Sequence, residues 1–427
     1  MKKITVMGLF LATTFFVFGQ RADGIINTKE VERIERVLSA DEMMGRRAFT
    51  PSIDKAADFI AEEFRKAGLQ TLSGHNNYRQ EFTMVRPKFI SVAGTFDNET
   101  LNTKDIIVVT CLPQLKISLA SGYEKVSIKP GVNLQTEARQ LIRSNKNLLV
   151  LVDKSFSPGF SNLTRLKSNV FKTDKSVVFV LTEKNPENFS IEAVHEITEQ
   201  KLANVVGVLP GKSLKDEVVI FSAHYDHIGV GKPVNGDSIF NGANDDAAGT
   251  TAVIMLAKYF KALANNERTI IFAAFTAEEM GGIGSQYFSW QFDPEKVVAM
   301  FNIEMIGTES KWGKNSAYIT GYDKSDMGAI MQKNLEGTGF TFYPDPYTSE
   351  NLFYRSDNAT LARLGVPAHT ISTARMDGEP HYHKVSDHIE TLDMENMTQI
   401  IKSIALSARS IIAGIDTPSR VKVEEFR

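Results

Sequence analysis

From about Ala203 onward, short apolar runs alternate with helical patterns, and this alternation constrains the fold more than any other feature of the chain. Val205 to Leu209 and Val218 to Ser222 are apolar runs divided by the turn-forming Pro210-Gly211-Lys212. Thr250 to Leu263 has helical spacing, Thr269 to Phe275 reads as a buried strand, and Gly284 to Phe288 begins another helix. Val298 to Ile303 and Ser316 to Thr320 again read as strands. Strands that are apolar on both faces and separated by helices need cover on both sides. The expected fold class is therefore α/β, a sheet covered by helices on both faces. Met394 to Ile412 reads as a closing amphipathic helix, and the charged tail from Asp416 is expected to fray.

Upstream, Lys29 to Leu38 and Ile53 to Ala67 carry helical patterns, the second stopped by Gly68. Ile106 to Thr110, Leu148 to Val152 and Val177 to Leu181 are strand-like and separated by polar loops, which predicts a β-rich segment ahead of the alternating region. A chain of 427 residues can bury a large core, and 42% hydrophobic with 23% charged residues excludes wholesale disorder. A net charge of -3 gives no electrostatic reason to expect nucleic acid or an anionic membrane as partner. Cys111 is the single cysteine, which excludes an internal disulfide and any thiolate metal knuckle.

Lys2 and Lys3 precede an apolar run from Ile4 to Phe18, and Val17 and Gly19 are small residues placed for a peptidase cut before Gln20. Residues 1–19 are thus expected to be an export signal, and the mature chain a periplasmic or secreted protein with no other membrane attachment.

Five acidic or histidine clusters fall at the expected strand ends. They are Ala223-His224-Tyr225-Asp226-His227, then Gly242-Ala243-Asn244-Asp245-Asp246, then Glu278-Glu279, then Asn302-Ile303-Glu304-Met305-Ile306-Gly307, and last His381-Tyr382-His383-Lys384-Val385-Ser386-Asp387. Singly, each has an ordinary explanation as a solvated helix start, a helix cap or a core histidine. Together, at one sheet edge, they imply a cation, because unpaired buried carboxylates are costly. Histidine and carboxylate donors without thiolate suit zinc, with cobalt or manganese as substitutes.

The order His-x-Asp, Gly-Ala-x-Asp, Glu-Glu, Asn-x-Glu-Met-Ile-Gly and a late His resembles the M28 zinc aminopeptidases over roughly Asn204 to Leu392. The resemblance implies the zinc exopeptidase fold, a central mixed β-sheet flanked by helices. Its catalytic domain would be built from 20–90 and 203–427, with a protease-associated-like or lid domain inserted at 91–202. It also implies two zinc ions per chain. Asp245 would bridge them, His224 and Glu304 would complete one site, and His383 with Glu279 the other. Glu278 would be the general base, Asp226 a carboxylate orienting His224, and Asp387 a support near His383. A cis peptide between Asp245 and Asp246 is a further family trait. Glu304 stands where Asp is frequent, Asp246 and Ala248 where Asn and Ser are common, and Asn358 where His is frequent. His381 competes with His383, and the spacing to Asp387 favours His383.

The implied activity is hydrolysis of the N-terminal peptide bond of a peptide substrate. The alternatives are a single-zinc glutaminyl cyclase, a glutamate-releasing carboxypeptidase, or a non-catalytic receptor on the same fold. The sequence leaves side-chain preference and oligomeric state open.

Overall fold

The computed structural model describes residues 24–423, so the expected export signal and its cut before Gln20 lie outside the described residues. Two compact units divide the chain: residues 24–81 with 203–423, and residues 82–202.

The first unit is built on α1 (Thr28–Leu38), α2 (Pro51–Ala67), β1 (Leu214–His224), α3 (Ala248–Leu263), β2 (Arg268–Phe275), α4 (Ile283–Ser289), β3 (Val297–Ile303), β4 (Ser316–Ile319), α5 (Met327–Asn334), β5 (Thr341–Pro344), β6 (Ala368–Ser372) and α6 (Met394–Ser407). Its strands follow the order β5, β4, β6, β3, β1, β2, and then Val205 to Leu209. β6, β3, β1 and β2 run parallel, while β4 and the Val205 to Leu209 stretch are antiparallel to their inner neighbours. This is the α/β sheet that the alternation predicts, and the mixed one that the resemblance implies.

The apolar strands alternate their side chains between two cores. Val219, Phe221, Ala223, Ile270, Phe272 and Ala274 face the core shared with α1, α2, α3 and α6. Ile220, Ile271, Ala273 and Phe275 face the core with Phe288 of α4. Phe221 stacks on Phe260, Phe272 and Phe301 at centroid distances of 5.4, 5.8 and 4.9 Å. Burying one such ring is worth about 1.5–3 kcal/mol. α2 begins with Pro51 at its first turn, buries Ile53, Ala56, Ala57, Ile60 and Phe64, and ends where Gly68 takes a left-handed conformation at φ 78°.

The chain passes from β1 through α3 to β2 on one side, then returns so that β3 lies on the other side of β1. That reversal opens a crevice at the carboxyl ends of β1 and β3, where open α/β sheets place ligands.

The second unit holds a four-stranded sheet in the order Ile106–Val109, Val177–Leu181, Leu148–Val152, Glu124–Ile128, parallel except for its first strand. Gln114–Ser118 pairs antiparallel with Ser190 to Val194. With the helix Leu134–Arg143 it closes its own apolar core, so this β-rich segment folds around side chains of its own.

Two expectations fail at the C-terminus. The closing helix ends at Ser407, and a separate four-residue helix covers Arg409–Ile412. The tail from Asp416 is pinned: Val421 is buried, its N–H donates to the Gly365 carbonyl, and Arg420 donates to the Val297 carbonyl. One apolar residue and one cation among the charges supply the anchors that the composition hides. Among the described residues no helix is long and apolar enough to cross a membrane.

Candidate metal centre

β1 ends on His224, and the chain then runs through Asp226 and His227 at the crevice. β2 ends at Phe275 and delivers Glu278 and Glu279, β3 ends at Ile303 and delivers Glu304, and the loop after β6 brings His383. Asp245 lies in the loop that opens α3. One cavity is lined by Asp245, Glu278, Glu279, Glu304, Tyr382 and His383. The residues proposed from sequence therefore converge on one place.

Asp245 divides its carboxylate. Oδ1 lies 3.3 Å from His224 Nε2, and Oδ2 lies 3.2 Å from His383 Nε2. His383 Nε2 is also 3.2 Å from Glu279 Oε1. Two sets of donor atoms stand close enough to share an ion: His224 with Asp245 and Glu304, and His227 with Asp245 and Glu279. His227 carried no assigned role in the sequence. A second histidine three residues after the first was the available signal.

The supporting bonds explain why these atoms are held. Asp246 accepts from the N–H groups of Gly249 and Met305 at 3.0 Å each and of His224 at 3.4 Å, tying α3 to the ends of β1 and β3. Asp387 accepts from the Asn244 and Asp245 N–H groups at 2.9 and 3.1 Å, so its support goes to the Asp245 loop. Arg46, wholly buried, donates to the carbonyls of Leu38, Tyr225, Asn241 and Gly242. No periodicity in the sequence marked it.

Asp226 acts differently from expectation. His224 Nδ1 meets the Asp226 carbonyl at 3.1 Å, while the carboxylate is 3.8 Å away. The Asp226 carboxylate instead accepts the Glu278 N–H at 2.9 Å. An Nδ1–H donated to a carbonyl leaves the Nε2 lone pair free for a cation.

Asn358 is buried behind the cavity wall, donating to the Phe353 and Ala368 carbonyls and accepting from the cavity-lining Thr370 hydroxyl. His381 bonds Ser386 rather than the carboxylates. The Asp245–Asp246 peptide is cis. Ala277, Met305 and His383, each beside a donor or itself one, have positive φ of 52–56°. Such backbone is uncommon outside glycine and gathers at functional sites.

The donors fit a cation. His224 Nε2, both ring nitrogens of His227, and Glu279 Oε1 are buried with no hydrogen-bond partner. Burial pushes Glu304 and Asp226 up to about 7, and Glu278 well above the ordinary carboxylate range. Burial also raises Glu279, but the His227 and His383 imidazoles outweigh it and draw it down to about 2. His383 rises to about 10 beside Asp245 and Glu279. Carboxylates crowded this way hold protons on imidazoles that a divalent ion would displace.

Residues 204–408 match the model of Peptidase family M28. A protein named probable leucine aminopeptidase from Trichophyton verrucosum is 29% identical over 209 residues, which is 47% of this chain and 54% of that protein. The chain thus spans about half the length of that curated relative. Two solved structures share the fold, each with a TM-score of 0.53 at 17% identity. One is an aminopeptidase from Aneurinibacillus sp. strain AM-1, covering 94% of this chain and 97% of that one. The other is a zinc aminopeptidase from Bacillus subtilis, covering 91% and 95%.

Proposed function

We propose that this chain, whose residues 204–408 match the model of Peptidase family M28, is a two-zinc aminopeptidase that removes the N-terminal residue of peptides. The observation that carries the reading is the divided carboxylate of Asp245, one oxygen toward His224 and the other toward His383. His224, Asp245 and Glu304 would hold one ion, and Asp245, Glu279 and His383 the other.

A bound pair of zinc ions supplies Lewis acidity toward the scissile carbonyl and a water of lowered pKa. Glu278 takes the proton of the attacking water and delivers it to the leaving amine. Its backbone is fixed by Asp226, and burial lifts its proton affinity toward that task. Tyr382 stacks on His383 at 3.9 Å, and burial with the neighbouring carboxylates keeps its phenol protonated as a donor to the cavity. The preference for a free N-terminus rests on the similarity to proteins named aminopeptidases. The intact His224 group speaks against a single-zinc cyclase.

Aminoacyl fluorogenic substrates and dipeptides, assayed with and without a chelator, test the reading. Free-amine peptides should be cut, N-acetylated ones spared, and the chelator should abolish turnover. Equal rates on free and acetylated peptides would remove it. The expected signal ahead of Gln20 makes this an exported enzyme, periplasmic or secreted. N-terminal sequencing of the exported protein should begin at Gln20, and a retained Met1 would count against export.

A further inference from the structure

The cleft contains one buried imidazole to which the proposed catalysis gives no task. His227 is almost fully buried and stands in the second donor set with Asp245 and Glu279. Its backbone N–H donates to the Arg46 carbonyl at 3.3 Å. Gly242, left-handed at φ 58°, makes room for the ring, because a Cβ there would stand 2.5 Å from His227 Cγ. Neither ring nitrogen has a hydrogen-bond partner. Leaving both nitrogens of a buried imidazole unpaired is costly unless something else takes a lone pair. Nδ1 lies 2.9 Å from Glu279 Oε1 and 3.8 Å from Asp245 Oδ2. Nδ1 thus stands among the carboxylate oxygens of the second donor set.

We infer that His227 is a direct ligand of the second zinc ion, shared with Asp245, Glu279 and His383; this rests on the two-zinc reading above. Tetrahedral zinc with nitrogen and oxygen donors at about 2.0–2.1 Å separates those donors by about 3.3–3.4 Å. Of the six separations in this set, four, at 2.9, 3.8, 3.2 and 3.2 Å, straddle that value. Four protein donors close a tetrahedral site, whereas three leave a position open. The His224, Asp245 and Glu304 site therefore keeps the exchangeable position, and the His227 site holds its ion more tightly.

Zinc-edge anomalous diffraction from crystals of the zinc-loaded chain tests this. An ion within about 2.0–2.2 Å of His227 Nδ1 is the expected result. An ion on Asp245, Glu279 and His383 with His227 Nδ1 beyond about 3 Å overturns the inference and leaves the two-zinc reading standing. Absence of zinc from both sets overturns both. His227→Asn, which keeps a hydrogen donor near the Nδ1 position, gives a second readout by chelator competition. One zinc should weaken by more than about 100-fold while the other stays. A loss within 10–100-fold, the usual effect of an outer hydrogen-bond partner, or no loss at all, counts against direct ligation.

Discussion

Glu278 and Glu279 are neighbours in the chain with different surroundings. Glu279 Oε1 sits among His227, His383 and Asp245, whereas Glu278 lines the cavity and is anchored through its N–H. Glu278→Gln should lower turnover by about 10²–10⁴-fold while zinc content stays at two per chain. Glu279→Gln should lose one zinc, with activity partly restored by excess metal. Kinetics beside metal analysis on both variants decides it, and loss of zinc from Glu278→Gln would show the roles exchanged. A second residue makes a pH prediction away from the chemistry. Glu35 is wholly buried, accepts one bond from the Thr251 hydroxyl, and has Oε1 unpartnered. Burial pushes its carboxyl up to about 8, against about 4.3 in an unfolded chain. Its contribution to stability is therefore full below about pH 4.3 and is lost as pH rises through about 8. Glu35→Gln should gain on the parent protein across that window in denaturant titrations, and parallel pH profiles would dismiss Glu35 as the titrating group. The sequence nominates seven site residues from motifs of fixed spacing, and the structure places five of them, Asp245, Glu278, Glu279, Glu304 and His383, around one cavity. His227 is not among the seven although it follows His224 by three residues. Arg46 is not among them because its contacts come from chain segments that no local pattern links.

At the scale of elements, the close passage of α3 beneath β3 depends on Gly249. A Cβ there would press into the Ile303 carbonyl and the Asp246 carboxylate. Gly249→Ala should therefore cost about 1–3 kcal/mol, as overpacking does. It should also loosen zinc, because Asp246 ties His224 and Met305 to that helix. Thermal melts with metal titration check this, and a variant with unchanged melting and zinc affinity would contradict the tie. Thr269 to Phe275, Val298 to Ile303 and Ser316 to Thr320 were legible to within a residue, since strands buried on both faces are continuous apolar runs. β1 begins four residues earlier than its apolar run, at Leu214, and β6, with polar residues among its apolar ones, was not read as a strand. Strand order was not legible, because crossover direction depends on packing across the sheet. The pinned tail escaped notice for a related reason. Val421 is a lone apolar residue whose partners, Gly365 and the core around Phe288, lie far away in the chain.

At the scale of the whole molecule, that tail is part of the first unit's closure. Arg268 donates to the Ile411 and Asp416 carbonyls and to the Thr417 hydroxyl, so the last residues latch onto β2. Val421→Ala should cost about 1–2 kcal/mol, the worth of two buried methyl groups. Equilibrium unfolding measures it, and no change would mean that the tail contributes nothing. The resemblance placed an inserted domain at 91–202, and the second compact unit covers residues 82–202; the kind of fold within it was not legible, because its motifs are weak. The candidate ligands are gathered from His224 through to His383 by four separate strands. An unfolded chain cannot assemble such a set, so occupancy and folding become one linked equilibrium. Once free zinc exceeds the dissociation constant, each tenfold rise adds about 1.4 kcal/mol per site to the native state. Under the two-zinc reading, the metal supply of the surrounding compartment would set the chain's stability there, and a scavenger of zinc would act on it as a denaturant without touching its core.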